Sequence, residues 1–290
     1  MIYRVTHATT YLYGETVALS HHQTRLCPRE TGNQTLIRHQ YAIDPGTPVT
    51  SRHTDYFGNE VMFFSLQSPH SKFVIEADSW VDVAPLRAPS VMLSPPWEEV
   101  RDAVTPELTE YTLASPMTRL SADFRAYGEP TFTPGRPLLD AAFELSTRIY
   151  TEFQYLPKST KVDTPPETAL KERQGVCQDF AHVFLATVRS LGIPARYVSG
   201  YIPSSKDTQG AEASHAWVEV FCASSGWVGL DPTNNRWALD QHIVLAWGRD
   251  YSDVPPVKGV MLGGGDHLVQ VAVTVHPDEN PYQHGGVFLN

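Results

Sequence analysis

Three residues scattered through the second half of the chain, Cys177, His215 and Asp231, are of the types that together perform nucleophilic catalysis. Cys177 lies in Gly175-Val176-Cys177-Gln178-Asp179-Phe180-Ala181-His182. After it, Phe180, Ala181, Phe184, Leu185, Val188 and Leu191 recur at the spacing of one helical face, and Gly192 and Pro194 stop the run. The spacing predicts a helix with the thiol in its first turn. Unpaired backbone N–H groups and the positive end of the helix dipole favour a thiolate there. A nucleophilic cysteine also needs a base and a group that orients the base. His215, in Ser214-His215-Ala216-Trp217-Val218-Glu219-Val220-Phe221, is the candidate base. Asp231, in Trp227-Val228-Gly229-Leu230-Asp231-Pro232-Thr233, is the candidate orienter. For the oxyanion of an acyl intermediate, the backbone N–H of Cys177 is one candidate donor, with Tyr155 or Gln178 as the second. Each residue also has a plainer reading: a buried cysteine is ordinarily a small hydrophobe, a strand histidine a structural hydrogen-bonder, and an Asp before Pro a turn starter. Cys27 and Cys222 lack helix support. Asp179, just inside the helix, suits a cap or the dipole.

Strand pairing tests whether His215 and Asp231 belong together. The two segments flank Ala223-Ser224-Ser225-Gly226 and pair as an antiparallel hairpin if Phe221 lies opposite Trp227. Val220 then faces Val228 and Val218 faces Leu230, which makes one face apolar. On the other face Trp217 lies opposite Asp231, with His215 its diagonal neighbour, roughly 5–8 Å away. A one-residue slip would separate the polar pair and mix the apolar set.

The elements that position these residues follow in order. Residues 1–95 read as a β domain of short strands separated by turns, sandwich-like in pattern. Its histidines His7, His21, His22, His39 and His53 match no metal spacing. Residues 96–134 read as a connector with short helices near 105–113 and 117–126. Residues 135–290 hold the chemistry. A helix begins after Pro137 with Leu138, Ala142, Leu145, Ile149 and Phe153 on one stripe, and a shorter one spans 166–173. Strands then follow at 195–202, 214–221, 227–231 and 268–275. Gly263-Gly264-Gly265 reads as a β-turn rather than a phosphate loop, since no lysine or helix follows. The last dozen residues are expected to be loosely ordered.

Composition narrows the function class. The 290 residues are 41% hydrophobic and 19% charged, as in an ordinary globular protein. A net charge of -10 argues against a nucleic-acid partner. No apolar run is long enough to span a bilayer, and the N-terminus lacks a signal-peptide layout, so the expectation is a cytoplasmic protein without a membrane partner. Three widely spaced cysteines suggest neither a disulfide framework nor a zinc site, and no metal or cofactor is expected.

The cysteine stretch, Leu191-Gly192-Ile193-Pro194-Ala195-Arg196-Tyr197-Val198-Ser199-Gly200-Tyr201, and the two hairpin strands closely resemble the bacterial transglutaminase-like proteins. Tyr3-Arg4-Val5-Thr6-His7, Asp55-Tyr56-Phe57-Gly58-Asn59 and Gly248-Arg249-Asp250-Tyr251-Ser252-Asp253-Val254-Pro255-Pro256 extend the likeness over nearly the whole chain. The resemblance implies an α+β fold, in which an N-terminal β-sandwich-like domain is followed by a papain-like core whose cysteine helix packs on an antiparallel sheet. It also implies a Cys177–His215–Asp231 triad. The activity implied is thiol-dependent hydrolysis of peptide, isopeptide or amide bonds through an acyl-enzyme. The alternatives are acyl transfer from glutamine to an amine, as in a transglutaminase, and a binding module that keeps the fold without turnover. A peptide-ligase system is the partner the resemblance suggests. No acidic loop marks a calcium site.

Overall fold

The computed structural model describes residues 1–278 apart from 47, 158, 206, 207 and 212. Residues 279–290, expected above to be loosely ordered, lie outside the described residues. Five strands come first: β1 (Ile2–Thr24), β2 (Gln34–Asp44), β3 (Val49–Thr54), β4 (Glu60–Leu66) and β5 (His70–Val83). They form one antiparallel sheet in the order β2-β5-β1-β4-β3. The connector carries α1 (Trp97–Asp102), α2 (Pro106–Thr109) with a 3₁₀ turn at Glu110–Thr112, and α3 (Ala122–Gly128). α2 and its 3₁₀ turn cover the helix expected near 105–113, whereas the one expected near 117–126 starts later, at Ala122. Pro96 and Pro106 set the starts of the first two, because proline fits a helix's first turn and nothing further in.

The second unit begins with α4 (Leu138–Glu152), followed by β6 (Gln154–Tyr155), α5 (Pro166–Glu172), β7 (Gln174–Gly175) and α6 (Cys177–Ser190). Strands β8 (Ala195–Tyr201), β9 (His215–Cys222), β10 (Gly226–Asp231), β11 (Arg236–Trp237) and β12 (Ile243–Gly248) then form a sheet in the order β11-β10-β9-β8-β12. The cysteine helix is buried on every side, with Phe180, Phe184, Leu185 and Val188 at 0–1% exposure. It packs on β9 and β8, in the core that Val218, Val220, Val228 and Leu230 of the hairpin help to form. The polar residues it also buries are bonded inside, as Arg189 is to Ala195 O at 2.8 Å and Arg249 O at 2.6 Å.

The chain ends by returning to its start. β13 (Val257–Gly263) and β14 (His267–Pro277), the C-terminal strands of the 135–290 segment, both pair with β1. The reason is a shared face: Val275 lies opposite Val5 and Val273 opposite His7, and all four are buried in one core. Gly263, Gly264 and Gly265 do not form the expected β-turn. With φ of 91, 92 and 57° they make an outward loop between two stretches of one strand path along β1. A Cβ on Gly263 would stand 2.6 Å from the Thr16 carbonyl oxygen, so the close approach itself demands glycine.

The two units share a core and a polar seam. Tyr201, Ile243 and Leu245 of the second sheet pack among Val5, Phe73, Ile75 and Val81 of the first. Edge strand β12 is closed by two buried side-chain amides that stand in for a neighbouring strand. Gln34 donates Nε2–H to Val244 O at 2.8 Å and accepts from Val244 N–H at 2.8 Å. Asn59 donates to Trp247 O at 2.9 Å and accepts from Trp247 N–H at 3.0 Å.

Candidate active site

The site starts from the local chemistry of Gly175-Val176-Cys177. The Asp179 carboxylate reaches back over the helix start and accepts from the Val176 N–H at 2.8 Å and from the Thr160 hydroxyl at 2.6 Å. This satisfies one of the N–H groups a helix leaves unpaired at its start. A Cβ at residue 175 would sit 2.7 Å from Asp179 Oδ2, so glycine is required for that cap to close. Asp179 therefore serves the helix, as its position suggested. Burial raises its pKa, against the two hydrogen bonds it accepts. Cys177 takes the first helical position and is 9% exposed.

The hairpin forms in the expected register, with Trp227 opposite Phe221, Val228 opposite Val220 and Leu230 opposite Val218. His215 and Asp231 consequently share a face, and His215 Nε2 lies 2.9 Å from Asp231 Oδ2. Both are 0–1% exposed. Since an ionised carboxylate only accepts, Nε2 carries the proton. Nδ1 is then left buried and without a partner of hydrogen-bonding geometry. Burial opposes a charge on the ring, but the Asp231 charge and hydrogen bond, followed by the Cys177 thiol, lift the His215 pKa to about 10. Cys177 is thus the second group, after Asp231, that acts on the imidazole. Burial also works to raise the Asp231 pKa. The His215 charge and the hydrogen bonds from both histidines outweigh it and hold the carboxyl far below its ordinary value.

Asp231 is more heavily anchored than the sequence pattern indicated. Its Oδ1 accepts from the backbone N–H groups of Thr233 at 3.0 Å and Asn234 at 3.2 Å. Its Oδ2 accepts from Asn234 Nδ2 at 2.8 Å and lies 3.2 Å from His242 Nε2. Asn234 was in principle legible, because Asp-Pro-Thr-Asn is an Asx-turn pattern in which the Asp side chain bonds N–H groups two and three residues on. His242 was not. It lies in an irregular segment and meets Asp231 only because β12 folds back beside β8. Burial keeps His242 below its ordinary pKa, so it supplies a neutral N–H to a carboxylate whose other imidazole is charged.

The two side chains proposed as oxyanion donors part company. Tyr155, on β6, is held beside Gly175 by the short parallel β6–β7 pairing. A Cβ at Gly210 would lie 2.7 Å from His215 Nδ1 and 3.3 Å from the Tyr155 hydroxyl, so all three converge on one point. Gln178 instead turns away and donates to Val162 O at 2.8 Å. Cys27 and Cys222 are buried elsewhere; burial pushes the Cys27 thiol up to about 12. Among the described residues no cluster of three His, Cys, Asp or Glu is placed to hold a metal ion, and no helix is long and apolar enough to cross a membrane.

With this geometry in hand, comparison with known proteins identifies the family. Residues 125–232 match the transglutaminase-like superfamily, and residues 3–82 match the bacterial transglutaminase-like N-terminal region. An uncharacterized protein of Mycobacterium tuberculosis (strain ATCC 25618 / H37Rv) is 38% identical over 297 residues, covering 97% of this chain and 95% of its own. The chain belongs to the transglutaminase-like superfamily. An uncharacterized protein of Mycobacterium leprae (strain TN) is 34% identical over 280 residues, covering 94% and 97% of the two chains. In fold, the chain is similar to a candidate cysteine protease from Cytophaga hutchinsonii, with a TM-score of 0.75 over 98% of this chain and 94% of that one. At 19% identity that likeness speaks for the fold alone. The N-terminal match spans the sheet that docks on β12, and the superfamily match spans Cys177, His215 and Asp231.

Proposed function

We propose that this protein is a thiol hydrolase of peptide, isopeptide or amide bonds, with Cys177 as nucleophile, His215 as acid and base, and Asp231 as orienter. The observation that carries the reading is the fully buried His215–Asp231 pair, whose unpartnered ring nitrogen belongs to an imidazole that also senses the Cys177 thiol. A charged imidazolium next to a helix-start cysteine is the environment in which a thiolate nucleophile forms.

In the first half-reaction the Cys177 sulfur bonds to the substrate carbonyl carbon and the carbonyl electrons move to its oxygen. The backbone N–H of Cys177 and the Tyr155 hydroxyl are the donors assigned to that oxyanion. The C–N bond then breaks, and the leaving amine takes the Nδ1 proton of His215. In the second half-reaction water gives a proton to His215 and attacks the thioester carbonyl, releasing acid and the thiolate. Throughout, Asp231 keeps the Nε2 proton in place, so that Nδ1 always faces the reaction.

Acyl transfer to an amine has the same first half-reaction, and the two outcomes are separated by the acceptor. The experiment is a mass-spectrometric screen of γ-glutamyl and peptide amides with and without added amine. We expect release of the free acid, with no amine adduct, and complete loss of turnover in Cys177→Ala. Amine adducts as the main product would make the protein a transferase. Full turnover in Cys177→Ala would remove the mechanism.

A further inference from the structure

A cavity of about 740 Å³ lies beside the site, between the first sheet and loops of the second unit. Its volume is in the range of sites that enclose small ligands or short peptide segments. None of Cys177, His215 and Asp231 lines it, but three of its wall residues are each one step away. Ser214 precedes His215 in the chain. Tyr251 gives its N–H to His182 of the cysteine helix at 3.3 Å. Val162 offers its carbonyl to Gln178, the residue after Cys177.

The opposite wall comes from the first sheet, and the β1–β14 register explains how. One face of that ladder carries the pairs Tyr3–Pro277, Val5–Val275, His7–Val273, Thr9–Val271 and Tyr11–Val269. At the first end Val5, Val273 and Val275 are 1–9% exposed beneath the second unit. At the other end the same face runs on past its cover. Val269 and Val271 are 41% and 42% exposed and look into the cavity with Tyr11. The remaining walls hold Pro165, Pro166, Pro255 and Pro256, which are rigid and carry no backbone donor. His7, at the junction, has both ring nitrogens engaged, by the Tyr201 hydroxyl at 3.1 Å and the Thr9 hydroxyl at 3.0 Å. The charged residues of the wall balance, Arg119 and Lys258 against Asp163 and Glu167. The surface therefore offers preformed apolar area and no net charge.

We propose that this cavity is the binding site for a bulky apolar side chain of a peptide substrate, and that Val269 and Val271, from the last strand of the chain, select it. The inference rests on the thiol-hydrolase reading for its substrate class. It makes the N-terminal sheet and the C-terminal strand part of the substrate site, with the second unit supplying the chemistry.

The test uses the full chain carrying Cys177→Ala, which cannot turn over, and calorimetric binding of two peptides: N-acetyl-Phe-Gln-Gly amide and N-acetyl-Gly-Gln-Gly amide. We expect the Phe peptide to bind at least about tenfold more tightly, as burial of one aromatic side chain implies. Val271→Asp should reduce that preference to less than about threefold, with Val269→Asp as the second variant should the first alter the thermal melt. Leu268→Asp, on the opposite face of the same strand and 55% exposed, should leave it unchanged. Equal binding of the two peptides, or a preference that survives both valine substitutions, overturns the inference. Failure of the hydrolase reading shows elsewhere, as iodoacetamide labelling of wild-type Cys177 no faster than that of Cys27 and Cys222.

Discussion

The hairpin at Asp231 and the seam at β12 are both made of fully buried polar groups, and they are finished differently. At the seam the Asn59 side chain uses all four of its hydrogen-bonding capacities. Asn59 makes bonds to Trp247 N–H, Trp247 O, Arg29 Nη1 at 2.6 Å and Asp55 Oδ2 at 3.0 Å, and Asp55 is itself paired with Arg25. At the hairpin the Asp231 carboxylate is equally crowded with donors, yet both imidazoles on it, His215 and His242, keep a buried Nδ1 without a partner, and only the His215 ring also senses the Cys177 thiol. Fully satisfied networks hold two surfaces in one arrangement. On the proposed reading, the open end beside Cys177, His215 Nδ1, holds a proton ready to move, so similar groups serve stability at the seam and chemistry at the hairpin.

The largest expected effect comes from removing the charge at the hairpin. Asp231→Asn keeps the shape of the side chain but presents an amide to Nε2, which favours the tautomer with its proton on Nδ1 and its lone pair on the wrong side. We expect turnover to fall by roughly 10³-fold or more. The preference of iodoacetamide for Cys177 should fall with it. Activity within tenfold of wild type would show that Asp231 is only a structural anchor.

A smaller effect, of a different kind, is expected at the seam. Asn59→Leu leaves the buried N–H and C=O of Trp247 without partners, at about 1–3 kcal/mol for each such group. The urea midpoint should drop by an amount corresponding to about 2–6 kcal/mol, while Cys177 labelling in the folded protein remains selective. Loss of selectivity without loss of stability would invert the assignment of the two regions.

These regions also differ in how far they could be read from residues alone. The cysteine helix was legible because its apolar residues repeat at 3.6 and Gly192 and Pro194 end it. The hairpin was legible because a period of two allows only one register that keeps Val218, Val220, Val228 and Leu230 together. Gln34, Asn59 and His242 lie 210, 188 and 11 residues from the groups they bind, and nothing local marks such contacts. The return of β14 to β1 was hidden for the same reason. Its alternation identified a strand, but not the strand it would join, and the glycine triplet looked like a turn because a loop within a strand path needs the same positive φ.

The last comparison is between the two titrating partners of the hairpin, and its sign follows from their shifts. The folded-state pKa of His215 is raised, so its contribution to stability is fully present below the unfolded value near 6.5 and is lost as pH rises toward about 10. Cys177→Ala leaves the imidazole with Asp231 alone: it removes the smaller, thiol-dependent part of the shift and leaves the part due to Asp231. In that background we expect the unfolding free energy to decline between about pH 7 and pH 9 by on the order of 1 kcal/mol per pH unit. Adding His215→Gln should flatten the decline. A Cys177→Ala protein whose stability is already flat over that window would mean that the buried imidazole is neutral, and would take the charge out of the open end of the network.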